Sequence, residues 1–127
     1  MEETLRWLSP IGMNPRRVQQ DTVIGGVELR AGAPLGVLVA SANRDERRWE
    51  NPDEFDLRRA SQGHVAFGRG AYVCLGAFVA RRTIGAIALP RIFGRLPDLA
   101  LADGFKPRLR GWVFRGLNRL DVTWSAR

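Results

Sequence analysis

Apolar and polar positions alternate on several different periods along the chain, and each period predicts a different element. Glu2 to Leu8 reads as a short helix that Ser9-Pro10 stops, because proline disfavours helical geometry in the residue before it. From Arg16 to Leu29 the β-branched residues Val18, Thr22, Val23, Ile24 and Val27 alternate with polar ones around Gly25-Gly26, which predicts short strands about a turn. Leu35 to Val39 predicts a further apolar strand. Ser41 to Arg59 lacks periodicity and carries many charges, so it reads as an irregular but packed segment anchored by Trp49 and Phe55. Beyond residue 76, Ala77, Ala80, Ile84 and Ile87 recur on one helical face while Arg82 points away, giving an amphipathic helix of about four turns that Pro90 should end or kink. Leu99 to Leu101, Gly111 to Phe114 and Leu120 to Trp124 predict short strands in hairpins.

Composition adds bounds. At 127 residues and 45% hydrophobic, the chain has the size of one domain with a modest core. It has no apolar run long enough to span a bilayer, and Met1-Glu2-Glu3 opens acidic where a secretory leader opens basic. The expectation is a soluble, cytoplasmic protein without a membrane partner. Twenty basic against thirteen acidic residues give +7, nearly all of the excess from arginine. Those arginines are scattered in ones and twos (Arg16/Arg17, Arg47/Arg48, Arg58/Arg59, Arg81/Arg82) without a recognition motif, so a solvated basic surface is expected and no nucleic-acid partner.

The single cysteine, Cys74, excludes an intramolecular disulfide, and one histidine with no second thiol speaks against a tetrahedral zinc site. A lone thiol is commonly a small buried hydrophobe. Its setting, Phe67-Gly68-Arg69-Gly70-Ala71-Tyr72-Val73-Cys74-Leu75-Gly76, points elsewhere: three glycines admit a close partner, and the helix that follows places positive potential beside the sulfur, which favours a thiolate. The segment resembles the cysteine-ligand loop of the cytochrome P450 family, Phe-Gly-x-Gly-x-(His/Arg)-x-Cys-x-Gly. Phe67, Gly68, Gly70, Cys74 and Gly76 match it, and Tyr72 departs from the usual basic residue.

The resemblance runs from Glu3 to Trp124. Glu3-Thr4-Leu5-Arg6 is similar to the family's Glu-x-x-Arg helix, Ala42 to Asp56 to its meander, His64 to Gly68 to the lead into its loop, and Arg115 to Trp124 to the closing hairpin of bacterial soluble members. It implies an α+β fold, the C-terminal third of a cytochrome P450, with residues 1–127 as one partial domain that lacks the distal oxygen-activating helix. It implies haem b (iron protoporphyrin IX), with Cys74 as the axial iron ligand and Phe67, Gly68, Gly70 and Gly76 framing the cofactor. Arg16, five residues before Asp21, corresponds to an arginine that binds a haem propionate, although from charge alone it is equally a surface residue on an edge strand. His64 stands either behind the loop or against a propionate, or is a packing residue, and Tyr72 either donates to a propionate or packs on the loop. Glu3 and Arg6 form the structural charge pair. Glu54 stands where an arginine often joins that pair, and Arg44, Arg47 or Arg48 is expected to take over. Arg81 and Arg82 are solvated helix residues or part of a face for a ferredoxin-type electron donor. The four tryptophans read as core and hairpin anchors.

The implied activity is oxygen-dependent hydroxylation of a small organic substrate. No catalytic residue is expected in these 127 residues, which are either a truncated portion of an enzyme or one completed by a separate N-terminal polypeptide as partner. The other reading is a non-catalytic truncated remnant or interaction module that binds haem weakly or not at all.

Overall fold

The computed structural model describes residues 1–125. Helix α1 spans Glu2–Leu8 and ends as the sequence predicts. Ser9 adopts a left-handed conformation (φ 43°), its N–H donates to the Leu5 carbonyl, and its hydroxyl lies within reach of the Leu5 and Arg6 carbonyls, so the helix end is satisfied by the residue that stops it.

Strands β1 (Asn14–Arg17) and β4 (Pro34–Val37) pair antiparallel, with Arg16 opposite Leu35. Between them β2 (Thr22–Ile24) and β3 (Val27–Leu29) form a hairpin whose two turn residues, Gly25 and Gly26, both have positive φ (58° and 81°), the requirement of a tight type I′ turn. The strand expected over Leu35 to Val39 stops at Val37. Val39 instead opens helix α2 (Val39–Ala42) and is buried there. The segment after α2 is irregular, as expected; Trp49 is buried, whereas Phe55 is half exposed and rests edge-on against Trp7.

The long helix does not end at Pro90. It begins as α3 (Ala77–Ala80), widens to π-helical turns over Arg81–Ala88, and continues as α4 (Leu89–Arg95). Proline lacks an N–H and its ring clashes with the carbonyl four residues back. Here it falls in the first turn of α4, just after the wider π bonding, where the bonding pattern changes and a missing donor is tolerated. The chain closes with β5 (Ala100–Leu101), β6 (Leu109–Arg110), β7 (Gly116–Leu117) and β8 (Val122–Thr123); β6–β7 is a hairpin enclosed by the β5–β8 pair. Where Gly111 to Phe114 were expected as strand, the hairpin tip lies, with one bridge from Phe114 to Ile11.

The expected modest core is not there. Among the described residues the buried hydrophobic ones are Val18, Val39, Trp49, Ala66 and Ala77, while the accessible surface is 10094 Å². A compact monomer of 14.2 kDa exposes roughly 6,800 Å². The surplus is apolar faces that this chain does not cover itself: Ile84 and Ile87 on the long helix, Phe78 and Leu75 near its start, Trp112 and Phe114 at the hairpin tip.

Candidate functional site

The most completely buried side chains of the molecule are polar. Arg6, fully buried, forms a two-pronged ion pair with buried Glu3: Nε donates to Glu3 Oε2 and Nη2 to Oε1, both at 2.8 Å. Its remaining N–H groups reach backbone carbonyls of the irregular segment, Asn43 at 2.9 Å, Pro52 at 2.8 Å and Glu54 at 3.0 Å. Glu3 also accepts from the Ser61 hydroxyl at 2.6 Å and the Asp56 N–H at 3.0 Å. The Arg6 bond, followed by those from Ser61 and Asp56, holds the Glu3 carboxyl down at about 2, well below the ordinary carboxylate range, so the pair is ionised throughout the neutral range.

The third cation is Arg59, and not Arg44, Arg47 or Arg48. Its Nε lies 3.3 Å from Glu3 Oε1, and its terminal nitrogens donate to the Glu50 and Asn51 carbonyls. Arg44 is committed to Asp53 and Trp7, Arg47 to Asp45, and Arg48 stacks on Trp49. Arg59 follows Glu54 by five residues, a spacing that no helical or strand period marks; only the fold returns it to α1. Asn43 was likewise not singled out. It donates to Ser9 and accepts the Val65 N–H at 2.7 Å, tying α1 to the segment that leads into the cysteine loop.

The loop itself is closed by backbone bonds. The Gly68 N–H donates to Val65, the Val73 N–H to Gly70, and the Cys74 N–H to the Phe67 carbonyl at 2.8 Å, with a 3-10 turn over Gly70–Tyr72. Gly68 and Gly70 take φ of 75° and 79°, where a side chain would be strained. Ala77 N–H then donates to the Cys74 carbonyl, so the long helix grows directly out of the cysteine turn. Cys74 is exposed, flanked by Leu75 at 98% exposure and Val73.

These features fit a haem. Among the described residues no group of three or more histidines, cysteines or carboxylates is placed to hold a metal ion, so Cys74 would have to serve as a lone protein ligand. That suffices for iron already held by a macrocycle, whereas a bare zinc needs four donors. A side chain at Gly70 would project into open space, leaving that side of the loop free for a flat partner, and one at Gly76 would lie 3.8 Å from the Cys74 sulfur.

The remaining candidates are dispersed. Arg16 is exposed on β1 and donates to its neighbour Pro15; Asp21, which its spacing singled out, binds Arg30 and the Ala31 N–H instead. Tyr72 is 94% exposed and packs on nothing that hides it. His64 is buried, with Nδ1 accepting the Ala66 N–H and Nε2 bonded to Glu2, so its ring retains no donor for a propionate. Arg81 does not present a free charge: Glu2 holds it through two nitrogens, and it lies over the Phe67 ring. Arg82 is exposed on the next position of the helix.

Comparison with known proteins is consistent throughout. The chain is 40% identical over 126 residues to Cytochrome P450 FAS1 of Rhodococcoides fascians, covering 98% of this chain and 31% of that protein. It is 42% identical over 126 residues to the Biotin biosynthesis cytochrome P450 of Bacillus subtilis, with the same coverage. The crystal structure of CYP109E1 from Bacillus megaterium in complex with testosterone superposes with a TM-score of 0.90 at 32% identity, over 98% of this chain and 35% of that one. The chain thus spans about a third of the length of the relatives it matches, and its fold is that third of theirs. The Cytochrome P450 family model matches residues 1–93, and the chain belongs to that family.

Proposed function

We propose that this chain is the haem-ligand portion of a bacterial P450 monooxygenase, with Cys74 as the axial thiolate. The observation that carries the reading is the Cys74 loop: an exposed thiol at the root of a long helix, its N–H tied to Phe67, framed by glycines whose positive φ keeps the backbone clear of a flat ligand. Haem b, when bound, supplies the oxygen-activating redox chemistry, with the thiolate donating electron density to the iron. The chain's own residues hold and orient. Phe67, Gly68, Gly70 and Gly76 shape the seat, the Glu3–Arg6–Arg59 network fixes the segments on which the loop stands, and Arg16 on β1 offers a planar fork to a propionate. Arg82 contributes to a basic face for a ferredoxin-type donor.

The substrate is a small organic molecule, and the groups that select it and deliver protons belong to further polypeptide. The surface surplus supports this, because apolar faces on the long helix and hairpin tip call for a covering layer. Hydroxylation is therefore expected only when these 127 residues are joined by the remainder of a P450.

Haem titration into the purified chain tests the reading. The reduced, carbon-monoxide-bound spectrum of the parent should change in Cys74→Ala, and an unchanged spectrum overturns the assignment. Arg16→Ala removes a hydrogen bond to a charged group, which contributes about 1.5–3 kcal/mol, so the haem Kd should rise about ten-fold or more. Single-turnover assays with reduced ferredoxin, with and without an N-terminal portion from a related protein, separate the two readings. Product only on complementation supports the enzyme portion; haem uptake without product in either case supports a non-catalytic remnant.

A further inference from the structure

Beside the cysteine loop lies a second polar cluster, formed by Glu2, His64 and Arg81. Both Glu2 carboxylate oxygens accept the Arg81 Nε–H at 3.1 Å, and Oε2 also accepts from Arg81 Nη2 at 2.8 Å. His64 Nε2 stands 3.2 Å from the same Oε2. Because His64 Nδ1 accepts the Ala66 N–H, the ring proton must be on Nε2 and is donated to Glu2, which assigns a neutral imidazole. Burial pushes His64 below its ordinary pKa, and the Arg81 bond holds Glu2 below its own, in keeping with a neutral ring and an ionised carboxylate.

The cluster joins three segments distant in sequence: the first turn of α1, the lead into the loop, and the helix that follows the cysteine. Met1 reinforces the junction. It packs on Gly85, four residues beyond Arg81, where a Cβ would come within 2.7 Å of the methionine sulfur. The Arg81 guanidinium carbon lies 4.8 Å from the centre of the Phe67 ring, and the His64 ring stands 6.2 Å from it. Phe67 in turn accepts the Cys74 N–H. A solvent-exposed ion pair would involve two side chains and little else; here one carboxylate seats a buried imidazole and a cation stacked on the ring of Phe67, whose carbonyl accepts the Cys74 N–H.

We propose that Glu2 is a positioning residue for the cysteine loop: with His64 it holds Arg81 over Phe67, the residue whose carbonyl binds the Cys74 N–H, and it cancels the Arg81 charge there. The proposal rests on the haem-thiolate reading of Cys74, and it makes a prediction that a simple brace does not. In haem-loaded protein, Glu2→Gln should raise the reduction potential, because the uncompensated Arg81 cation favours the electron-richer state. Arg81→Gln should lower it, because the uncompensated Glu2 carboxylate does the reverse. The double variant should return close to the parent. Shifts of the same sign in both single variants, or no shift, overturn the charge-cancelling role. Seating is measured without haem, by hydrogen exchange at the Cys74 amide, which both single variants should speed several-fold; unchanged exchange overturns the positioning role. If the parent takes up no haem, or Cys74→Ala leaves its spectrum unchanged, the ligand reading fails instead, and the exchange measurement still decides whether Glu2 seats the loop.

Discussion

Residues 78–125 carry a larger share of apolar side chains than residues 1–77 and do the opposite with them. Every buried residue among those described lies in the first part, and the side chains buried most completely there, Arg6, Asn43 and Ser9, are polar. The second part carries a long helix and two strand pairs, yet none of its described residues is buried. The first part is locked by directional bonds that close within the chain. The second presents surfaces that need another layer. The Cys74 loop sits at the border, supported on one side by the network and left open on the other.

The widest test of this difference is Arg6→Ala. Removing Arg6 from the buried ion pair leaves Glu3 only the longer contact with Arg59 and frees three backbone carbonyls, which should cost about 3–5 kcal/mol. Chemical denaturation should show loss of the cooperative transition of residues 1–77; a midpoint within error of the parent would break the comparison.

Acid should act on the same network. The folded pKa of Glu3, about 2, lies below the ordinary value of 4.5, so its contribution is fully present above pH 4.5 and is lost as the pH falls from there toward 2. The shift corresponds to stability on the order of 3 kcal/mol. Denaturation midpoints between pH 5 and pH 2 should fall in the parent and stay flatter in Glu3→Gln.

A smaller effect sharpens the comparison from the other side. Gly111, at the hairpin tip, has φ of 95°, and a Cβ there would lie closer than any normal contact to the Phe114 carbonyl oxygen. Gly111→Ala should therefore cost about 1–3 kcal/mol in local stability, read as faster hydrogen exchange across β6 and β7 with residues 1–77 unaffected. Spread of the effect into α1 would show that the two parts are more tightly coupled than their burial suggests.

The smallest effect is the most pointed. Arg119 and Asp121 form an ion pair in the second part, with the arginine 70% exposed, chemically the same as Arg6 with Glu3. Water and salt screen it. Arg119→Gln should leave the denaturation midpoint unchanged, and a clear drop would mean that exposure does not separate the two pairs.

Much of this was legible in the sequence. Local signals marked what local physics decides: Ser9-Pro10 ended α1, Gly25-Gly26 made the tight turn, and the glycine-framed Cys74 loop carried the family and its helix. The amphipathic face of Ala77, Ala80, Ile84 and Ile87 was also correct as a pattern. Ala77 at its start is buried but Ile84 and Ile87 are not, because periodicity says which face seeks cover and not whether this chain supplies it.

Tertiary structure decided the rest, for reasons of reach. Arg59 rather than Arg44, Arg47 or Arg48 completes the pair because the irregular segment folds back onto α1, and no spacing rule encodes that return. Helix propensity placed an end or a kink at Pro90, and the helix runs on through it by a switch between π and α bonding. Arg81 looked like surface charge until Glu2, 79 residues earlier, came to lie against it. A sequence by itself fixes interactions within a turn or a strand pair, where the covalent chain holds partners at known distance. Which distant cation meets which carboxylate depends on how the segments stack, and that is set only once the whole fold has formed.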